Sequence, residues 1–321
     1  MSAGAGTDRY VTASGLRIRV RVEGEGPTVL LVNGLGANVH SWGELAAHLP
    51  GFTVVSFDAP GTGGSQTPVA PYGIPKVARV ARDVLDAVGV ERADVLGYSF
   101  GGAVAQQLAR TDPDRVRRLV LVGTSCGVGA VPGALSALLA VMTPARHYPG
   151  PGHRLAQVMV RLAPAERASA AVSGQIHRWQ RQAPPSARGY TLQVGAFSTF
   201  HSLPWLHELA QPALVVTGTH DRLMPMANAA LLAAHLPQAR LHVVQGWGHY
   251  LLHDATSGAA TAVADFLTAE PVGASRTWQD AATVSRADLR RLLRQAPLSA
   301  HPGSVVNAVV RTLHPPRPRT Q

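Results

Sequence analysis

Only one cysteine, Cys126, and only one lysine, Lys76, occur in this chain of 321 residues. A lone cysteine excludes an internal disulfide framework and any zinc site built on cysteine pairs. No stretch reaches the roughly 18 uninterrupted apolar residues of a spanning helix. The opening MSAGAGTDRYVTASG has no apolar core of a secretory signal, so a cytoplasmic protein is expected. Charged residues are also scarce, at 15% against 46% hydrophobic, which excludes a disordered chain and predicts a globular one. The formal net charge of +10 would suit a nucleic-acid ligand, but its distribution argues otherwise. Residues 271–321 hold eight arginines against two aspartates, leaving the body nearly balanced, and no nucleic-acid partner is expected.

What the sequence does contain is an alternation of strand and helix patterns. LRIRVRVEG alternates at period two, like a half-exposed antiparallel strand. TVLLVN, FTVVSFD, ADVLGY and RLVLVG are continuous apolar runs suited to parallel strands covered on both faces. KVARVARDVLDAVGV and GGAVAQQLARTD repeat apolar positions at helical spacing between them. The rhythm stops at residues 128–206, which carry prolines, helix-like stretches such as ALSALLAVM and RLAQVMVRLA, and several aromatics. It resumes with PALVVTGTHD, NAALLAAHL, ARLHVVQG and ATAVADFLTA. A mostly parallel, doubly wound α/β sheet follows, with a core over 1–127 and 207–270, a helical lid inserted at 128–206 and a basic tail at 271–321.

Two segments fit G-x-S-x-G: GYSFG around Ser99 and GTSCG around Ser125. A nucleophile elbow requires a strand, a sharp turn and a helix in succession. Ser99 has ADVLGY before it and GGAVAQQLA after it, whereas Ser125 leads into GVGAVPG, which does not start a long helix. Ser99 is therefore the candidate nucleophile and Ser125 a loop serine. A glycine-rich helix start that merely attracts anions is the plainer alternative for Ser99.

The partners are sought at later strand ends, in the order serine, acid, histidine. Asp221 closes the strand pattern ALVVTGTHD, while Asp112 and Asp114 lie at the far end of the elbow's own helix, Glu166 in the insertion, Glu208 ahead of a strand, and Asp254 and Asp265 in or near the last helix. His249 follows the strand pattern ARLHVVQG, and the 28 residues from Asp221 hold one helix and one strand. His253, a turn further on, reads as packing, and His220 as a turn residue beside the acid. For an oxyanion, the backbone N–H groups of Phe100, after the serine, and of Leu35, in the loop NGLGAN, are the candidate donors. FDAPGTGGSQTP lacks the lysine and spacing of a phosphate loop, and no histidine or cysteine cluster has metal-ligand spacing, so no cofactor and no metal are expected.

Together these segments resemble the α/β-hydrolase superfamily, and within it the intracellular medium-chain-length poly(3-hydroxyalkanoate) depolymerases. The likeness covers about residues 25–270 and is carried by NGLGAN, FDAPGTGGSQTP, GYSFGGAVAQQLA, LVLVGTSCGVGAVPG, SLPWLHELAQPALVVTGTHDRLMP and GWGHYLL. Phe100 stands where close members have tryptophan, YPGPGHRL replaces a more glycine-rich run, and the basic tail is additional. The resemblance implies Ser99 as nucleophile, Asp221 as acid and His249 as base, acting on a hydrophobic polyester or ester substrate. The protein is then expected to be cytoplasmic, with the polymer granule surface as a further partner. A small-molecule carboxylesterase or lactonase is the alternative. An acyltransferase like the polymer synthases would carry cysteine at the elbow, and a non-catalytic granule-binding protein would not need all three residues. The tail pattern SRADLRRLLRQ allows an interfacial helix with Leu289, Leu292 and Leu293 turned to polymer or lipid, although for so short a segment a solvated or disordered tail is the plainer expectation.

Overall fold

The computed structural model describes residues 6–134 and 182–295, together with 137, 138, 141, 174, 175, 178 and 179. Eight strands form one sheet: β1 (Thr7–Ala13), β2 (Leu16–Glu23), β3 (Thr28–Val32), β4 (Thr53–Phe57), β5 (Ala93–Tyr98), β6 (Val116–Val122), β7 (Ala213–Gly218) and β8 (Ala239–Val244). Their order is β1-β2-β4-β3-β5-β6-β7-β8. Pairings of β1 with β2 and of β2 with β4 are antiparallel, and every later pairing is parallel. The mostly parallel sheet expected from the sequence is thus present.

Alternation along the strands divides the core into two. Leu30, Val32, Val95, Leu119, Leu121 and Val215 turn to one face, where they meet α2 (Ile74–Ala87), α3 (Phe100–Thr111) and α5 (Met226–His235). Val29, Leu31, Leu96, Val120, Val122 and Val216 turn to the other, against α1 (Gly43–Ala47) and α6 (Ala259–Thr268). Both faces are covered, which is why β5 is buried at every position and reads as a continuous apolar run. Arg118 fixes the second layer by donating to Phe266 O, Leu267 O and Ala269 O at the carboxyl end of α6, where a cation also meets the negative end of the helix dipole.

Ninety residues of sequence separate β6 from β7. Of the two helical patterns expected there, RLAQVMVRLA and most of ALSALLAVM lie outside the described residues. The returning part contains α4 (Ala187–Ser198), begun by Ser186, whose Oγ accepts from Gly189 N–H. This helix presses on the body so closely that a Cβ on Gly189 would lie 2.0 Å from Gly61 O.

The segment after α6 departs from the free tail expected from its sequence. Trp278, in α7 (Arg276–Asp280), stacks on Phe266 with ring centroids 5.4 Å apart. Ala282 exchanges backbone hydrogen bonds with Leu241 of β8 at 2.8 and 2.9 Å, covering part of an otherwise open sheet edge. Leu289, in α8 (Arg286–Gln295), is buried, and Leu292 and Leu293 pack against the core beside it, with α8 lying on α5. The leucine face is thus turned inward, with Leu289 buried and Leu292 and Leu293 half-buried, while the arginines of the helix meet solvent. An amphipathic pattern specifies that one face will be covered, but not by what.

Candidate active site

The strand order reverses at β3, whose carboxyl end lies beside that of β5, with Val32 opposite Gly97. Loops leaving such a switch point open a crevice. NGLGAN leaves β3 there and the Ser99 turn leaves β5. Ser99 has φ 53° and ψ −117°, a conformation sparsely populated for a residue with a side chain. The surroundings hold it there: Ser99 N–H donates to Val122 O at 2.9 Å, and Ser99 O accepts from Gly102 N–H at 2.9 Å and Thr124 Oγ1 at 2.7 Å. The flanking glycines are sterically required. A Cβ on Gly97 would lie 2.3 Å from Gly101 O, and one on Gly101 would lie 1.9 Å from Val32 O.

Asp221 follows β7 and His249 follows β8, so two further strand ends converge on the serine. His249 Nδ1 lies 2.8 Å from Asp221 Oδ2, and His249 Nε2 lies 3.1 Å from Ser99 Oγ. Asp221 Oδ1 accepts from Leu223 N–H at 3.0 Å and Met224 N–H at 2.7 Å, which fixes the carboxylate plane. With a carboxylate as acceptor, Nδ1 is the protonated nitrogen and the Nε2 lone pair faces the serine hydroxyl. Ser99, Asp221 and His249 are all buried, and Tyr98 donates its hydroxyl to His249 O at 3.1 Å. A hydroxyl, an imidazole and a carboxylate in this order can pass the hydroxyl proton to the ring as the oxygen attacks an electrophile.

Phe100 opens α3, so its N–H belongs to the first helical turn, where no intrahelical acceptor exists. Leu35 sits in the turn closed by Ala37 N–H donating to Gly34 O at 3.2 Å. A Cβ on Gly34 would fall 3.4 Å from Ser99 Cβ, so the loop lies directly against the serine. The other sequence candidates lie elsewhere. Ser125 is buried, its Oγ accepting from Gly127 N–H at 3.2 Å, and its carbonyl accepts from Gln106 Nε2. His253 is buried against the Tyr98 ring, and burial, with the neighbouring His249, pushes its pKa down to about 4. His220 is exposed. Among the described residues no group of three or more His, Cys, Asp or Glu could hold a metal ion.

Several residues that the sequence did not single out shape this site. Asp58, after β4, is fully buried; its Oδ1 accepts from Val39 N–H at 2.8 Å and its Oδ2 from Gly64 N–H at 2.7 Å, joining the FDAPGTGGS turn to the end of the NGLGAN loop. Burial raises its pKa to about 6, against the pull of those two N–H groups and of Arg19. Asn228, in α5, brackets Val131 by accepting from its N–H at 2.7 Å and donating to its carbonyl at 2.8 Å. That bond pair ties the start of the insertion to the helix that follows the Asp221 loop. Each is a polar residue in an apolar neighbourhood, which is the only local signal the sequence carries for them.

The chain belongs to the α/β-hydrolase fold family, whose model matches residues 27–256. It is similar to a poly(3-hydroxyalkanoate) depolymerase of Ectopseudomonas oleovorans, 35% identical over 251 residues, covering 75% of this chain and 84% of that one. It is also 29% identical to a 2-hydroxymuconate semialdehyde hydrolase of Pseudomonas sp. strain CF600, over 81% of this chain and 93% of that one. Among solved structures, the enol-lactonase of Burkholderia xenovorans LB400 superposes with a TM-score of 0.70 at 25% identity, covering 81% of this chain and all of that one.

Proposed function

We propose that the protein hydrolyses ester bonds of a poly(3-hydroxyalkanoate), of medium side-chain length, through an acyl-enzyme on Ser99. The observation that carries this reading is the hydrogen-bonded chain Ser99–His249–Asp221 in a protein 35% identical to a polyester depolymerase. Ser99 Oγ attacks the ester carbonyl while His249 Nε2 takes its proton. The N–H groups of Phe100 and Leu35 receive the oxyanion, and Asp221 holds the imidazolium. Collapse breaks the ester C–O bond, and His249 returns the proton to the departing hydroxyl end of the polymer. Water, deprotonated by His249, then attacks the acyl-serine and releases the 3-hydroxyacyl carboxylate.

Residues 128–206 act in this reading as a lid that shapes the acyl pocket, and the enzyme works in the cytoplasm at the surface of polymer granules. No helix among the described residues is long and apolar enough to cross a membrane. In this reading granule contact is made by the lid, with the exposed arginines of α8 as a second contact. The second reading, a small-molecule esterase or lactonase, is favoured by the likeness to the enol-lactonase. Incubation with isolated medium-chain-length granules separates the two. Falling turbidity with release of 3-hydroxyacids supports the depolymerase. Rapid cleavage of a p-nitrophenyl ester or a lactone with unchanged granule turbidity supports the alternative.

A further inference from the structure

The loop proposed to carry the Leu35 donor is held from outside the sheet. Gly36 N–H, the next amide along, donates to Gln193 Oε1 of α4 at 3.0 Å, across 157 residues of sequence. Gly36 has φ 71°, and a Cβ there would lie 2.8 Å from the ring of Tyr190, three residues before Gln193 on the same face of α4. Both α4 side chains are buried, and of the Gln193 amide only the oxygen has a hydrogen-bond partner among the described residues. Gly36 N–H is a donor, so the atom it meets must be the amide oxygen, and the orientation of Gln193 is fixed by that chemistry.

Asn38 makes a second attachment two residues on. It is fully buried, its Oδ1 accepts from His40 N–H at 3.0 Å, and its Nδ2 donates to Trp179 O at 2.7 Å and Ala183 O at 3.0 Å. Thus both carboxamides bridge the loop to the returning part of the insertion, one on either side of Ala37. Neither can touch the reacting atoms: Gln193 meets the loop at the amide after the donor, and Asn38 is spent on backbone groups. Both acceptors and donors are uncharged, so the loop is fixed without placing a negative side chain beside an amide that must face a developing oxyanion.

We propose that Gln193 and Asn38 are positioning residues, an amide clamp through which the insertion sets the place of the Leu35 N–H and so assembles the oxyanion hole. The inference rests on the roles given above to Ser99, Phe100 and Leu35. The returning part of the insertion is then part of the catalytic frame. Without the Gln193 oxygen, Gly36 N–H loses its buried acceptor and the turn re-orients to find another. A donor displaced by about an ångström loses most of its value in the transition state while leaving ground-state binding nearly intact.

The test is the rate at which a fluorophosphonate labels Ser99, read by intact mass and peptide mapping, beside steady-state hydrolysis of p-nitrophenyl butyrate. In the labelling reaction the Ser99 Oγ–P bond forms, fluoride leaves, and the phosphoryl oxygen occupies the oxyanion position. Gln193→Met keeps volume and removes the strong acceptor. It should label ~10- to 100-fold slower, with kcat down by the same factor and KM within about threefold. Asn38→Ser keeps the cap on His40 and removes the two donated bonds; it should show the same split and serves if Gln193→Met does not fold. Ser186→Ala loosens α4 at its cap without touching Gly36, and should keep labelling and kcat within about threefold. The clamp is overturned if the two clamp variants label at the wild-type rate, or if Ser186→Ala at a matched loss of Tm labels as slowly. Absence of any label on Ser99 in the wild-type protein would instead overturn the reading of the site on which the clamp rests.

Discussion

Ser99 and Ser125 stand in the same five-letter pattern, at the ends of neighbouring strands, and His249 and His253 stand four residues apart. One serine and one histidine are joined by a 3.1 Å contact; their near duplicates are each buried in local packing. The difference lies in what the chain does next. After Ser99 it turns directly into α3, throwing the hydroxyl out of the strand end with a positive φ. After Ser125 it runs on through Cys126 to an isolated bridge between Gly127 and His201, and the side chain folds back on its own loop. After β8 a loop suspends His249 above the serine, while His253 closes a short turn against Tyr250 O and is sealed under aromatic rings. Residue type and pattern are equal in each pair, and direction of the backbone decides.

The strongest way to break this contrast is to exchange the loss between the two serines. Ser99→Ala should lower p-nitrophenyl ester turnover by ~10⁴-fold or more, because nucleophile and base act as a unit. Ser125→Ala should leave kcat within about twofold and cost about 1 kcal/mol in urea unfolding, the scale of one local hydrogen bond. Comparable loss from both, with native circular dichroism, would remove the elbow assignment.

A similar exchange is available for the acids. Asp221→Asn should lower kcat by ~10⁴, because an amide can present its N–H₂ to the ring and favour the wrong tautomer. Asp254, whose Oδ1 caps Thr256 N–H at 3.0 Å, lies near His253 in sequence and serves a turn. Asp254→Asn should keep kcat within about threefold and lower Tm by a few degrees at most. Measured kcat in the reverse order would place the carboxylate on the wrong loop.

The fold class and the three side chains at the centre were legible because their signals are local. Apolar runs mark the buried strands, and a strand followed at once by a glycine-lined helix start marks the turn at Ser99. Spacing then places Asp221 and His249 at later strand ends. Gln193, Asn38 and Asn228 were not legible, since each acts on backbone 97 to 157 residues away and nothing in the surrounding letters names that partner. β1 was missed for another reason: TDRYVTA is exposed over its first four positions, so the polar edge strand has no apolar face to announce it. The covered leucines of α8 show the same limit, because a helical stripe predicts burial while only the tertiary fold supplies α5 as the covering surface.

The smallest expected effect sharpens the contrast between the histidines through pH. His253 is 6% exposed, and its pKa of about 4 lies below the ordinary value of 6.5 chiefly because burial opposes its charge, with His249 adding to the effect. Below pH 6.5 the unfolded chain takes up a proton at this position, whereas the folded chain does so only near pH 4. Stability is therefore intact above pH 6.5 and lost as pH falls towards 4, by a total on the order of 3 kcal/mol. The groups facing the ring are the Tyr98 and Tyr250 aromatic rings, with the His249 imidazole close by, and none of these is a carboxylate that would hold a charged His253. His253→Phe keeps a ring in the same pocket and removes the titration. Urea unfolding at pH 7.5 and pH 5 should show the wild-type protein losing about 2 kcal/mol more than the variant between the two conditions, since each pH unit below 6.5 contributes about 1.4 kcal/mol. Parallel losses in the two proteins would mean that His253 is protonated or solvated in the fold, and that burial does not separate it from His249 as described.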